Sequence, residues 1–575
     1  MAPLSTQFDS GTSTGMSCTH LFLPLAFYLV AGWPIRNRIK SDMPRCGQTI
    51  LLTAALILIV AGLRVPLLPI PLERDEGEYA YIAWRLGHNE LPYRDWVDQK
   101  PPAVFYVYRF ALSLPFDPVR AIHFVGLLFS AASVCALFFL GLRFMDRFWA
   151  WLGAALFALL SSDPLVQGTA ANTELFMLCP FILSLIAFLA AAAKIKPRVL
   201  FMALAGALTG IAVMFKQVAV VNWFLLVALY PVFAPREKRW RGTVSFIACS
   251  ATGLLTVLAL VVLYFWRRGG LTGFIDNVFT HNLEYIRSIR ASERLEYCWG
   301  TLTTLARTQA VAWVFAAAGL AVLFRGPAKW FVFVAGWLLT SGIGVSASGY
   351  FFPHYFQQLL PPLALAAAAG AGWFTSIPVW KIIPIWARRT ALSLVLAVLP
   401  GITLWPFLFK YTPAESVRKI YPGNFFAEMP EFARRIESLT PPEKPVFIFG
   451  AEPELLFYAR RPSATRYIFL FPLYGPYGNA REKQLAAAAE IERTNPPTAV
   501  YFPNALFFIS GTDQYFTDWS RSYMEQNFYI NTLLIAGEFG AAQMLNVESD
   551  VPADVSPTRE QVVGAILVRQ SREAP

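Results

Sequence analysis

Long apolar segments alternate with short polar ones between residues 49 and 409. A helix that crosses a bilayer needs about 20 predominantly apolar residues, and shorter segments would be tilted, broken or merged. The pattern predicts eleven spans, near 49–70, 119–144, 148–163, 174–193, 199–215, 217–234, 243–266, 308–324, 328–346, 354–375 and 389–409. The apolar stretch His20–Trp33 is too short to span comfortably. We therefore predict an N-terminal segment, 1–48, followed by a multi-span core, 49–410.

The basic residues predict how the spans are oriented. If the N-terminal segment is cytoplasmic, six linkers on that side each contain at least two Lys or Arg: Arg36–Arg45, Arg143–Arg147, Lys194–Arg198, Arg236–Arg241, Arg325–Lys329 and Lys381–Arg389. Cytoplasmic loops are enriched in these residues, although Arg267 and Arg268 break the pattern. The odd number of spans then places the long first loop, 71–118, and residues 411–575 on the non-cytoplasmic side of a plasma or inner membrane.

After residue 410 the pattern changes from long apolar segments to short alternating elements. Val446–Phe449, Thr498–Phe502 and Val562–Val568 have the composition of buried strands, and Glu452–Arg460 and Arg481–Arg493 have that of helices. Strands that alternate with helices are typical of a small α/β fold. The predicted fold class is therefore an all-α polytopic membrane protein with a C-terminal α/β extracytoplasmic domain, 411–575.

The composition agrees with a membrane protein. Hydrophobic residues make up 56% of the 575 residues and charged residues only 15%, whereas soluble proteins carry about 25% charged residues. The net charge of +11 reflects basic runs between apolar segments, so topology explains it and we expect no nucleic-acid partner. The six cysteines contain no CxxC pair, so we expect neither a disulfide framework nor a zinc–thiolate site.

The first loop is rich in acids directly after the first span. Asp75 and Glu76 lie where the chain leaves the bilayer, and Tyr79 and Ile82 continue with helical spacing. This spacing predicts an amphipathic helix along the membrane interface, which would hold the two acids at the level of lipid headgroups. The simpler interpretation is a solvated loop, since acids cost little at a membrane surface.

Lys100 precedes two prolines, which favour an extended backbone at this lysine. The functional interpretation is a cation held in place to receive a phosphate. The alternative is a lysine that extends its stem along the membrane and its charge into water at the start of a span.

Further polar residues lie at predicted outer ends of spans or in outer loops: Glu174, Lys216, His281 and His354. A lysine at such a place can simply anchor a span, and a single histidine is more often a hydrogen-bonding residue than a ligand. All four nevertheless lie on the same predicted side as Asp75. A transporter would place its ionisable groups near the middle of the bilayer, so the distribution favours chemistry at the interface.

Several of these segments resemble a known group of enzymes. The run Arg74-Asp75-Glu76-Gly77-Glu78-Tyr79-Ala80-Tyr81, followed by Asp98-Gln99-Lys100-Pro101-Pro102, resembles the polyprenyl-phosphate-sugar transferases of the protein O-mannosyltransferase and lipid A aminoarabinose transferase superfamily. Later segments of the superfamily are similar to Asn172-Thr173-Glu174, Phe215-Lys216-Gln217 and Pro353-His354-Tyr355. The resemblance covers roughly residues 49–410.

This resemblance implies a GT-C-type glycosyltransferase that serves glycosylation of the cell envelope. Its partners would be a polyprenyl-phosphate sugar donor and a lipid, glycan or protein acceptor. The resemblance implies Asp75 as the catalytic base and Lys100 as a ligand of the lipid phosphate. Some members bind a divalent metal through a Glu at the position of Gln99, so the sequence leaves a metal open and assigns no residue to it.

We therefore expect direct displacement, in which Asp75 accepts a proton from the attacking acceptor hydroxyl. Lys100 and Lys216 would offset the charge of the departing phosphate. Glu76 is a second candidate for the base, and Glu174, His281 and His354 are candidate substrate-binding residues. Glu78 is interpreted as a surface charge on the same helix.

Two other functions remain open from the sequence. The chain could transport or flip lipid-linked sugars, or it could be a non-catalytic assembly scaffold. A scaffold would have no individually essential acid.

Overall fold

The computed structural model describes residues 43–234, 239–287, 289–378, 382–475, 477–503, 513–537, 540–547 and 561–570. Residues 55–575 form one compact unit, and the described residues before it, 43–54, belong to one helix. The predicted apolar stretch His20–Trp33 lies outside the described residues. So do parts of three predicted basic linkers, Arg36–Arg45, Arg236–Arg241 and Lys381–Arg389.

Each of the eleven predicted spans coincides with a helix. These helices are α1 (Met43–Arg64), α4 (Pro118–Gly141), α5 (Arg147–Leu160), α6 (Thr173–Ala192), α7 (Arg198–Val213), α8 (Val221–Phe233), α9 (Arg239–Arg267), α12 (Ala291–Arg325), α13 (Ala328–Ser346), α14 (Leu360–Phe374) and α15 (Ile385–Phe409). Seven helices in the described part of the chain are long and apolar enough to cross a membrane. Shorter apolar helices include α5 and α7. The predicted helical membrane core is therefore confirmed.

Small residues allow the long helices to approach closely, as α12 and α14 do. A Cβ at Gly319 of α12 would lie 1.9 Å from the carbonyl oxygen of Ala366 in α14, so only glycine fits there. Close backbone contact through small side chains is a common way to hold helices together in a bilayer, where burial of apolar surface drives little association.

The first loop folds into two helices, α2 (Arg74–Leu86) and α3 (Ala103–Ala111). The predicted helix after Asp75 is therefore present, but it is not an exposed interfacial helix. Its residues from Tyr79 to Ala83 are completely buried, because a short helix of the C-terminal region, α18 (Glu454–Ala459), packs on it. Local periodicity predicted the helix correctly, and a contact more than 370 residues away in sequence decided its surroundings.

The C-terminal region contains a five-stranded mixed sheet in the order β1-β2-β5-β3-β4. The strands are β1 (Val446–Phe449), β2 (Thr498–Tyr501), β3 (Phe528–Ala536), β4 (Ala542–Asn546) and β5 (Val562–Arg569). The first pair is parallel, with Val446 opposite Thr498, and the remaining pairs are antiparallel. The helices are α16 (Pro413–Ile420), α17 (Met429–Leu439), α18, α19 (Ala480–Thr494) and α20 (Tyr515–Asn527). Two further short helices, α10 (Leu271–Ile275) and α11 (His281–Arg287), lie before α12.

The predicted α/β character of this region is confirmed, and the three predicted strands and two predicted helices are present. Its core is aromatic, with Phe447, Phe449 and Phe516 packed together. The sequence analysis did not predict β3 and β4. In β3, Asn531 and Thr532 interrupt the apolar run. Both side chains are buried, and hydrogen bonds donated by Arg435 of α17 offset the cost of burying them.

Candidate active site

The first turn of α2 carries the acids that the sequence singled out. The Glu73 side chain accepts hydrogen bonds from the backbone N–H groups of Asp75 (3.1 Å) and Glu76 (3.3 Å). The Glu76 side chain accepts in return from the Glu73 N–H at 3.3 Å. This reciprocal pattern is a capping box, which satisfies backbone donors at a helix N-terminus. It fixes the start of the helix, so Asp75 has a defined position in the first turn.

Lys100 approaches Asp75 from the other end of the same loop. The Lys100 ammonium lies 3.3 Å from Asp75 Oδ2 and donates a 2.9 Å hydrogen bond to the Tyr79 hydroxyl. Its backbone is held on both sides, since its N–H donates to Asp98 Oδ1 at 2.7 Å and its carbonyl accepts from the Tyr93 hydroxyl at 2.6 Å. The side chains of Asp75 and Lys100 remain 23% and 19% exposed, so a substrate can reach both.

The electrostatic surroundings keep Asp75 ionised. Burial alone would raise the pKa of Asp75, but Lys100 and His354 outweigh it and hold that pKa below its usual value. The pKa of Lys100 is correspondingly raised: burial opposes this shift, and the negative charge of Asp75 is the main cause in its favour. The pair is therefore a carboxylate and an ammonium at neutral pH.

A second acid–lysine pair lies beside the first. Lys216, between α7 and α8, donates a hydrogen bond to Glu174 Oε1, and Thr173 donates to Glu174 Oε2 at 3.0 Å. The Lys216 ammonium lies 3.5 Å above the centre of the Tyr355 ring, which is a cation–π contact. Both lysines and Asp75 interact electrostatically with one another, so the two pairs form one charged cluster.

His354 is the third part of this cluster. Its Nδ1 lies 2.8 Å from Gln167 Oε1, and the ring interacts electrostatically with both acid–lysine pairs. The structure thus brings together the following sequence-predicted residues: Asp75, Lys100, Glu174, Lys216 and His354.

Glu76 has different neighbours from Asp75. Its Oε1 accepts hydrogen bonds from the Ala171 N–H at 2.6 Å and from the ring of His123 at 2.9 Å, and the residue is 2% exposed. These contacts leave little room for a substrate. Glu76 therefore holds α2 against the segment before α6, and we no longer interpret it as a second candidate for the base. Local periodicity could not link Glu76 to His123, because the two residues lie 47 positions apart in the sequence.

His281 also lies apart from the cluster. Its ring centre is 4.5 Å from that of Tyr477 in the C-terminal region, and its Nδ1 is buried with no hydrogen-bond partner among the described residues. Burial and the charge of Lys483 lower the pKa of His281 to about 4, so the ring is neutral. It belongs to the contact between α11 and the C-terminal region.

Several residues of the cluster were missed by the sequence analysis or misinterpreted there. Tyr79 is uncharged and was therefore not chosen as a site residue, but its hydroxyl accepts a hydrogen bond from Lys100. Its position four residues after Asp75, on the same helix face, could have indicated that it belongs to the site. Asp98 lies in the same turn as Lys100. Glu78 is not a surface charge, because it is only 4% exposed and interacts electrostatically with Asp98 and Lys100.

The donor set does not suit the metal that the resemblance left open. Among the described residues, no three His, Cys, Asp or Glu side chains form a group that could hold a metal ion. Gln99 offers a neutral amide oxygen, which is buried and has no hydrogen-bond partner in the described part of the chain, and an ammonium group already contacts Asp75.

Comparison with known proteins gives one family match. The model of the family "Dolichyl-phosphate-mannose-protein mannosyltransferase" matches residues 99–266, a range that includes Lys100, Glu174 and Lys216. None of the curated proteins matches the chain in sequence.

The fold is similar to those of solved membrane glycosyltransferases. ArnT from Cupriavidus metallidurans bound to undecaprenyl phosphate has a TM-score of 0.57 at 16% identity, covering 89% of this chain and 99% of that one. Archaeal oligosaccharyltransferase AglB from Archaeoglobus fulgidus, in complex with an inhibitory peptide and a dolichol-phosphate, has a TM-score of 0.55 at 13% identity, covering 89% of this chain and 76% of that one.

At such low identities the structural likeness shows only a shared fold. The family match adds a similarity in sequence over residues 99–266. Both agree with the resemblance seen in the first loop. The chain therefore has the fold of the membrane glycosyltransferases ArnT and AglB, and its residues 99–266 are similar in sequence to the dolichyl-phosphate-mannose-protein mannosyltransferase family.

Proposed function

We propose that the chain transfers a sugar from a polyprenyl-phosphate donor to the hydroxyl group of an extracytoplasmic acceptor, with Asp75 as the general base. The observation that carries this proposal is the pairing of a partly exposed Asp75 carboxylate with the Lys100 ammonium at 3.3 Å. The proton acceptor, Asp75, and the phosphate ligand, Lys100, are then close enough to contact the same bound substrate.

The lysines supply the phosphate-binding side. An ammonium group has three N–H donors, and Lys100 uses two of them for Asp75 and Tyr79. The third can therefore donate to a phosphate oxygen. Lys216 interacts electrostatically with Lys100 and adds a second positive charge beside the leaving group, where charge develops during transfer.

The chemical step is a single displacement. The acceptor oxygen forms a bond to the anomeric carbon as the bond from that carbon to the phosphate oxygen breaks. The acceptor proton passes to Asp75, which is ionised because its pKa lies below the usual value, and the polyprenyl phosphate leaves with the electron pair. His354 is partly exposed and can orient the sugar or the acceptor. The buried Glu174 acts through its ion pair with Lys216, and Glu76 and the C-terminal region support α2.

The sidedness of the site is part of the proposal. The basic linkers favour a cytoplasmic segment 1–48 and place the first loop and residues 411–575 on the opposite side. The donor would then be a lipid-linked sugar of the outer leaflet, and the acceptor a lipid, a glycan or a protein.

The test is sugar transfer by the purified full-length protein. The protein is incubated with radiolabelled polyprenyl-phosphate sugars and a mixed lipid, glycan and peptide acceptor panel, and products are identified by chromatography and mass spectrometry. We expect one donor to be consumed with release of polyprenyl phosphate. Movement of intact donor across liposome membranes without release of polyprenyl phosphate would instead support the flippase.

A further inference from the structure

We propose that Asp98 must carry a proton when a polyprenyl phosphate binds beside Lys100, so that Asp98 couples donor affinity to pH. This inference rests on the proposed function, because it takes the phosphate to bind at Lys100. Asp98 would act on binding through charge and would not itself touch the reacting atoms.

The first observation is the uneven environment of the Asp98 carboxyl. The residue is 3% exposed. Its Oδ1 accepts the Lys100 N–H at 2.7 Å, whereas its Oδ2 is buried with no hydrogen-bond partner among the described residues. A buried, charged oxygen without a donor is costly, and a proton on the carboxyl removes that cost.

The second observation is the excess of acids around a single lysine. Lys100 interacts electrostatically with Asp75, Asp98 and Glu78, and both Asp98 and Glu78 are almost completely buried. If all were ionised, three negative charges would surround one ammonium. A phosphate would add further negative charge to this group, and like charges at short range in a poorly solvated site disfavour each other's charged forms. The groups that face Asp98 are Lys100, Asp75, Glu78, Tyr79 and Tyr93.

Asp98 is the acid of this group that titrates near neutral pH. Burial raises its pKa to about 7, although Lys100 opposes the shift. Burial, and then the charge of Asp98, raise the pKa of Glu78 well above its usual value. Asp75 stays ionised for the reasons given above.

The direction of the effect follows from linkage. A bound phosphate favours the protonated form of Asp98, so by reciprocity protonation of Asp98 favours phosphate binding. Affinity should therefore be highest below about pH 7 and should fall as pH rises through the pKa of Asp98, by up to about tenfold per pH unit.

The probe must not titrate in the same range. A phosphate monoester does, with a second pKa near 6, so the probe is the methyl ester of a polyprenyl phosphate, a phosphodiester with one fixed charge. Its Kd for the full-length protein in detergent is measured from pH 5.5 to 9. We expect the Kd of the wild-type protein to rise above pH 7 and that of Asp98→Asn to stay nearly constant. The exposed Asp513→Asn serves as the control and should keep the wild-type slope.

A second measurement needs no variant. When the probe is added to the wild-type protein in weakly buffered solution at pH 8, the protein should take up close to one proton per bound probe, which is measured as a rise in pH. Absence of uptake, or an unchanged slope in Asp98→Asn, would overturn the inference while leaving the proposed function intact. Failure of the wild-type protein to bind the probe at any pH would refute the proposed function itself and the inference with it.

Discussion

At the scale of single residues, the site depends on how a few buried charges share their partners. The Lys100 ammonium donates hydrogen bonds to Asp75 and Tyr79, and its backbone N–H donates to Asp98. The Lys216 ammonium donates to Glu174. Asp75 and Asp98 thus contact different atoms of the same lysine, and the pKa of Asp75 is lowered whereas that of Asp98 is raised. The consequences can be tested one side chain at a time.

Replacement of the proposed base should abolish turnover. Asp75→Asn keeps the size of the side chain but cannot accept the acceptor's proton, and loss of a general base typically costs about 10²–10⁴ in rate. Sugar transfer by purified variants of matched thermal stability measures the effect. Near-normal turnover by Asp75→Asn would end the general-base proposal.

The control for that substitution follows from the structure. Glu78 is buried beside Asp98 and Lys100, so it cannot serve as a neutral surface control. Asp117 is exposed in the same loop and caps α4 through the Arg120 N–H at 3.1 Å. Asn caps helices about as well as Asp, so Asp117→Asn should leave transfer unchanged.

Removal of either lysine should weaken use of the donor. A charge-assisted hydrogen bond to phosphate contributes on the order of 1.5–3 kcal/mol, which corresponds to a loss of about 10- to 100-fold in donor affinity. Donor titrations of Lys100→Ala and Lys216→Ala measure this loss, with the exposed Lys419→Ala as the matched control. Unchanged donor dependence in both variants would mean that the lysines only anchor the chain.

At the scale of elements, helix α2 is held between the membrane core and the C-terminal region. Arg74 donates to the Ala451 carbonyl at 2.5 Å, and the Tyr81 hydroxyl accepts from the Ser463 N–H at 2.8 Å. On the other side, Glu76 bonds His123 of α4. The position of Asp75 relative to Lys100 therefore depends on contacts that neither residue makes.

The backbones of α2 and α18 approach most closely at Gly77, which faces Glu454. A Cβ at this position would lie 2.3 Å from Glu454 Cβ and 2.6 Å from its Cα, so Gly77→Ala must push α18 away from α2. We expect a loss of stability of about 1–3 kcal/mol, as for other overpacked sites, and a fall in kcat because Asp75 shifts with its helix. Thermal unfolding and steady-state kinetics measure the two effects.

Gly62→Ala in α1 is the matched control, since its Cβ would meet no atom of the described residues within 4 Å. It should leave both stability and transfer close to those of the wild-type protein. Equal behaviour of the two alanine variants would show that the contact between α2 and α18 does not position the site.

At the scale of the whole molecule, the proposal requires one side of the membrane for the first loop and the C-terminal region. Both contribute to the surroundings of Asp75, through the contacts of Arg74 and Val97 with residues 451 and 466. A topology that separated them would be incompatible with the structure as well as with the proposed site.

Cysteine labelling tests this topology. In a variant without the six native cysteines, single cysteines at the exposed positions His88 and Glu482 should react with a membrane-impermeant maleimide from the non-cytoplasmic side. A cysteine at the exposed Lys194, in a predicted cytoplasmic linker, should react only after the membrane is permeabilised. Labelling of positions 88 and 482 from opposite sides would refute the topology.

The sequence by itself determined the elements that follow from local pattern. An apolar segment of the length of a bilayer forms a helix because its backbone must satisfy its own hydrogen bonds in lipid, and all eleven segments did so. The short apolar runs of β1, β2 and β5 and the helical spacing at the start of α2 were also predicted from local pattern. The candidate residues Asp75, Lys100, Glu174, Lys216 and His354 were also chosen from sequence alone, as a set of charges on one predicted side.

Only the tertiary structure decided which partner each charge has. Asp75 meets Lys100 across 25 residues and Lys216 meets Glu174 across 42, whereas Glu76, adjacent to Asp75, turns to His123. Residues next to one another on a helix point in directions about 100° apart, so neighbours in sequence can have unrelated surroundings. The burial of α2 beneath α18 likewise depends on a contact between Gly77 and Glu454, and no local pattern encodes a contact at that distance.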